Sequence, residues 1–224
     1  MKKLLIVLAL TLIALCTVHA QPEKGMILLE GRVNYSVVNT DNEFTSNFSP
    51  INRGSKNNSL TIGPSIGFFL SNSTLIGIGL SFRRNSYREI DTFGPRDILS
   101  AKELVVSLHP RVAKYYNLTE KLYLVPELNA RVGIGNSELE AGDVFETDIL
   151  EFGTSLTVGL TYFISDNWAI SVSNFGGLSY SYTRQKNGMP NGVSLDPKNT
   201  ETNFGLDIGL GNLFFGFQYL IRKE

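Results

Sequence analysis

The sequence predicts an all-β protein, an eight-stranded antiparallel up-and-down transmembrane β-barrel, and three observations lead there. From Leu122 to Gly135 the chain alternates without a break. Leu122, Leu124, Pro126, Leu128, Ala130, Val132 and Ile134 fall on one face, and Tyr123, Val125, Glu127, Asn129, Arg131, Gly133 and Gly135 on the other. Such a strand fits a wall with hydrocarbon outside and a polar interior. Similar stretches recur along the chain, separated by connections that are in turn long and short. Beyond the N-terminus no run approaches about 18 consecutive apolar residues, so only a closed sheet could cross a bilayer.

Alternation and turn signals place strands at 25–36, 59–71, 74–86, 102–116, 121–135, 149–164, 167–184 and 201–222. In the third, Ile76, Ile78, Leu80 and Phe82 oppose Gly77, Gly79, Ser81 and Arg83. In the sixth, Phe152, Leu156, Val158, Leu160 and Tyr162 oppose Gly153, Ser155, Thr157, Gly159 and Thr161. The last reverses its parity near Gly211-Asn212: Phe204, Leu206, Ile208 and Leu210 are even, whereas Leu213, Phe215, Phe217, Tyr219 and Ile221 are odd. A β-bulge accounts for the reversal; two separate short strands are the alternative. Asn72-Ser73, 117–120 and 165–167 are tight connections, while 37–58, 87–101, 136–148 and 185–200 are long and polar loops. That order arises when both termini are periplasmic and the long loops extracellular.

Residues 1–20, MKKLLIVLALTLIALCTVHA, read as a secretory signal peptide, with Lys2 and Lys3, an apolar run, and small residues before a cut after Ala20. Residues 21–224 are then the barrel domain. Cys16 suggests a lipoprotein, but Leu15 occupies a position where a lipobox needs a small residue. Removing the signal takes 2 of 20 basic and none of 21 acidic residues, leaving 18 against 21, a formal charge of −3. Such a balance excludes a nucleic-acid footprint. It also removes the single cysteine, and disulfides and thiolate chemistry with it.

Aromatics near the strand ends form two belts. Tyr115, Tyr116, Tyr162, Trp168, Phe217 and Tyr219 lie at the periplasmic rim, and Tyr35, Phe82, Tyr180, Tyr182 and Phe204 at the outer one.

Counted up from the short turns, Glu30, Arg32, His109, Arg111 and Glu127 fall in a lower interior layer, and Arg83, Glu103, Arg131, Glu151 and Asp207 in a higher one. The lumen of an eight-stranded barrel is just wide enough for side chains to fill. Charges there must pair or keep water. An ion-paired core that plugs the barrel is the first reading, and a narrow small-solute pore the alternative. Chemistry has little to work with: after processing His109 is the one histidine, with Ser107 on its strand face. No catalytic, metal or cofactor site is assigned, and a lipid-modifying barrel enzyme is the weaker alternative. Gly133 and Gly135 read as small interior residues rather than a phosphate loop. A soluble lipocalin-like binder would need the apolar face inside.

The segments HPRVAKYYNLTEKLYLVPELNARVGIG, WAISVSNFGGLSYSY and GNLFFGFQYLI resemble the outer-membrane β-barrel domain family of Bacteroidetes, related in architecture to the small OmpA and OmpX barrels. The ending Arg222-Lys223-Glu224 departs from that family's terminal aromatic. The resemblance implies an integral protein of the Gram-negative outer membrane without enzymatic activity. Its partners are then outer-membrane lipid, the barrel-assembly machinery during biogenesis, and an extracellular or secretion-system protein met by the loops.

Overall fold

The computed structural model describes residues 22–45, 50–91, 97–141, 143–188, 198–208 and 213–222. The signal peptide expected at 1–20 lies outside them. Ten strands follow in order: β1 (Ile27–Thr45), β2 (Pro50–Ser71), β3 (Thr74–Asp91), β4 (Asp97–Lys114), β5 (Tyr116–Asn117), β6 (Leu122–Ala141), β7 (Asp143–Phe163), β8 (Trp168–Gly188), β9 (Lys198–Ile208) and β10 (Phe214–Ile221). They make eight staves of one antiparallel sheet, since β5 continues the line of β4 against β6, and β9 and β10 share the stave beside β8. β10 closes the ring by pairing with β8 on one side and β1 on the other, from Ile27↔Ile221 to Val33↔Phe215. Closure removes the open edges that a bilayer cannot satisfy. Where the β1–β10 ladder ends, Asn34 Nδ2 donates to the Leu213 carbonyl at 2.7 Å.

The parity reversal is present, carried by two strands: Phe204 points outward on β9, whereas Phe215 and Phe217 point outward on β10. A second irregularity stands beside it. Between Thr157↔Gly177 and Gly159↔Ser173, β8 carries two more residues than β7, and Asn174 there has a φ of 71°. Asparagine tolerates that left-handed conformation better than most residues.

The strands outrun their expected limits at one end. β2 spans 22 residues and β7 21, where about ten suffice to cross a bilayer. The stretches 37–58, 87–101 and 136–148, read as long loops, are therefore mostly ladder, and the described ends of 185–200 are ladder too; β1 and β2, for instance, pair from Ile27↔Phe68 to Thr45↔Pro50. Alternation failed to show this because both faces turn polar once hydrocarbon is left behind, while the backbone hydrogen bonds continue.

The outward faces mark that level. Leu60, Phe82, Leu104 and Ile134 are exposed apolar residues; beyond them come Asn58, Arg84, Lys102 and Asn136, on staves that pair through Leu60↔Arg84, Arg84↔Leu104 and Leu104↔Asn136. Exposed Leu, Ile, Val and Phe form a continuous band below this boundary. Ile78, between Ile66 and Pro110 in the ladder, lies well within it. Ile78→Arg is expected to lower stability by about 2–4 kcal/mol, as a cation on the lipid face near the midplane does. Urea unfolding in vesicles reads the loss, and an unchanged midpoint would show that the band is not lipid-facing.

Candidate functional site

The lumen is built in layers, from the short-turn end upward. Its floor is apolar: Met26, Leu28, Phe69, Leu75, Ala113, Tyr115, Tyr123, Val125, Phe163, Ala169 and Leu220 form one buried cluster. Four rings run through it edge to face, with centroids 5.2 Å apart for Phe69–Tyr115, 6.1 Å for Tyr115–Tyr123 and 5.3 Å for Tyr123–Phe163. Such contacts add to the area buried. Tyr115 thus belongs to the floor, which corrects its assignment to the membrane belt. It falls on the inward parity of Arg111 and Ala113. Trp168 and Tyr219 do face outward at this rim, paired across the ladder with ring centroids 4.7 Å apart.

Directly above stand Glu30, Arg32, Arg111 and Glu127. Arg32 donates through Nη1 to Glu127 Oε1 at 2.9 Å and through Nη2 to Oε2 at 2.6 Å. Its Nη2 also lies 3.0 Å from Glu30 Oε2. Arg111 Nη1 joins the same two carboxylates, 2.5 Å from Glu30 Oε2 and 3.0 Å from Glu127 Oε2. Glu30 further accepts from Gln218 Nε2 at 2.8 Å, Ser171 Oγ at 3.2 Å and Ser65 Oγ at 3.4 Å. Two cations and two anions make the group neutral, and charge-assisted bonds offset the cost of taking them from water.

A higher group joins Arg83, Glu103, Arg131 and Glu151. Arg83 Nη2 lies 2.8 Å from Glu151 Oε2 and 3.1 Å from Glu103 Oε1. Arg131 Nε is 3.3 Å from Glu151 Oε1, which also accepts from Ser107 Oγ at 2.8 Å. Asn85 Nδ2 donates to Glu103 at 3.0 Å. Gly133 makes the room: a Cβ there would stand 2.7 Å from Glu151 Cγ. The side chain of Asp207 lies outside the described ones.

His109 takes no part in the ion pairs of the lower group. Its Nε2 meets Ser81 Oγ of β3 at 2.6 Å. Ser107, two residues away, is committed to Glu151 instead. Among the described residues no carboxylate is hydrogen-bonded to His109, so no third member orients the imidazole as a nucleophile's base requires. Sequence reasoning placed Ser81 on the inner face but missed the supporting residues Ser65, Asn85, Ser171 and Gln218, although each falls on the inward parity of its strand.

Between and beside the charged groups lies a cavity of about 500 Å³, lined by Arg32, Arg83, His109, Arg111, Glu127 and Arg131 and by many small hydroxyl and amide side chains.

No protein-family model matches the chain, and no curated protein matches it. Among solved structures it is similar to the outer membrane protein OprG from Pseudomonas aeruginosa, with 12% identity, a TM-score of 0.44, and coverage of 91% of this chain and 99% of that one. Ail, the attachment invasion locus protein of Yersinia pestis, has 12% identity, a TM-score of 0.42, and coverage of 88% and 99%. The Neisserial surface protein A has 14% identity, a TM-score of 0.38, and coverage of 88% and 97%.

Proposed function

We propose that this chain is an integral outer-membrane barrel of the small OmpA- and OmpX-like kind found in Bacteroidetes, without enzymatic activity. It is exported behind residues 1–20, with both termini periplasmic and its extended hairpins outside the cell, where they serve surface interaction or envelope structure. Lipid surrounds the wall, and the assembly machinery inserts it. The observation that carries this reading is a continuous apolar outer band on a ring whose lumen is shut at one end. The floor is apolar and aromatic, and the Glu30 group stands over it with its charges paired. The ladders β1–β2, β3–β4, β6–β7 and β8–β9 run well beyond the apolar band, which suits contact with an extracellular or secretion-system partner.

The test is a planar-bilayer recording with the refolded barrel, beside fractionation of native envelopes. We expect recovery in the outer membrane, heat-modifiable gel mobility and no steady current. A steady ion current altered by Glu127→Ala would replace this reading with a narrow pore. Altered lipid A upon expression, lost in His109→Ala, would replace it with an enzyme.

A further inference from the structure

Above the apolar band the outward face of the ring becomes charged, and the charges are sorted by stave. Lys56 on β2, Arg84 and Arg88 on β3 and Lys102 on β4 are all exposed, on the parity of Leu60, Phe82 and Leu104. From Lys56 to Leu60, Phe82 to Arg88 and Ser100 to Leu104 that face carries no carboxylate. The next two staves reverse the sign. Glu138 and Glu140 on β6 and Glu146 and Asp148 on β7 are exposed on the parity of Ile134 and Phe152. Lys102 faces Glu138 across the ladder, so the border between the two arcs runs between β4 and β6.

Two features of the basic arc call for an anion from outside the protein. Lys56 and Arg88 stand directly opposite each other across the β2–β3 ladder, and like charges so placed repel. Arg84 is flanked by Leu60 and Leu104 at the level where the hydrocarbon ends; its stem can lie along the leucines while its guanidinium reaches the headgroups. Among the described residues none of the four cations is ion-paired. Arg84 and Arg88 are about 13 Å apart along their strand, and the arc crosses three staves, about 10 Å. Such an area exceeds a single phosphate and matches a disaccharide headgroup.

We infer that this arc docks a phosphorylated glycolipid of the outer leaflet. Its phosphates take the guanidinium forks of Arg84 and Arg88 and the Lys56 ammonium, and its acyl chains run down the apolar band below. The acidic arc repels the same headgroup, so the lipid is held on the β2–β4 side of the barrel alone. This inference rests on the reading that the extended ladders face outside the cell; on the other side of the membrane the same cations would meet glycerophospholipid.

Native mass spectrometry of the full barrel in detergent, titrated with lipid A, counts the lipid retained. Lipid A is expected to bind saturably, and lipid A stripped of its phosphates, or phosphatidylglycerol, roughly tenfold or more weakly. Lys56→Gln combined with Arg84→Gln and Arg88→Gln should lower lipid A binding by a similar factor, with heat-modifiable mobility showing that the variant is folded. Lys114→Gln neutralises an exposed cation at the short-turn rim instead and should bind like the parent. Orientation is read separately, from Glu146→Cys and a maleimide that does not cross membranes. Labelling of intact cells upholds the orientation, and labelling only after lysis would overturn it and the inference with it. With the orientation upheld, the inference is overturned if the triple variant binds lipid A like the parent, or if the dephosphorylated lipid or phosphatidylglycerol binds as well as lipid A.

Discussion

Arg111→Ala is expected to destabilise the barrel by about 3–5 kcal/mol, the cost of removing one partner from a buried ion group. Arg111 Nη1 holds Glu30 at 2.5 Å and Glu127 at 3.0 Å. Without it three charges remain where four had balanced, and the surplus is negative. Arg32 already serves both carboxylates and has no spare terminal nitrogen to turn toward them. Urea titration in lipid vesicles measures the loss, and Trp168, the single tryptophan, is a convenient reporter. Removing a carboxylate as well, in Glu30→Leu with Arg111→Leu, leaves the bidentate Arg32–Glu127 pair, and should recover most of the stability. A cost below about 1 kcal/mol for Arg111→Ala, typical of a surface pair, would mean that water rather than Arg111 balances Glu30.

Phe163→Ala is expected to cost a similar amount for a different reason. The ring is fully buried at 0% exposure and packs edge to face on Tyr123. Truncation removes its transfer energy and leaves a void that the strands cannot close, together about 3–5 kcal/mol. No ion current should accompany the loss, because the Glu30 group spans the lumen one layer above. Differential scanning and bilayer recording on the same preparation check both halves. Current through Phe163→Ala would place the seal in the floor alone.

Strand existence and facing were legible because a lipid-bathed wall forces a period of two on the sequence. Glu127 and Arg131 could be placed inside from Leu122 to Gly135 alone. Their partners could not, since ion pairs such as Arg32–Glu127 span 95 positions and depend on how high each stave rides against its neighbour. His109 shows the limit: counting height put it with Glu30, whereas its hydrogen bond runs to Ser81, diagonal to its ladder partner Gly79. The floor was more readable than it was read. Phe69, Tyr123 and Phe163 all occupy inward parity close to the short turns, and an apolar residue on a polar face is a signal. The hairpin extensions left no signal, because a strand that is polar on both sides looks like a loop.

The closing strand also sets an order of events. Glu30 draws its partners from Ser65, Arg111, Ser171 and Gln218, at separations reaching 188 residues. Gln218 arrives on the eight-residue strand β10, which closes the ring between β1 and β8. Until that strand is delivered, Glu30 lacks its amide partner and the seam beside it stands open. Contacts of such range are slow to form and arrive together. The last strand thus works as a completeness check on the whole chain: a product truncated before Phe214 keeps most of its ladders yet cannot finish its interior.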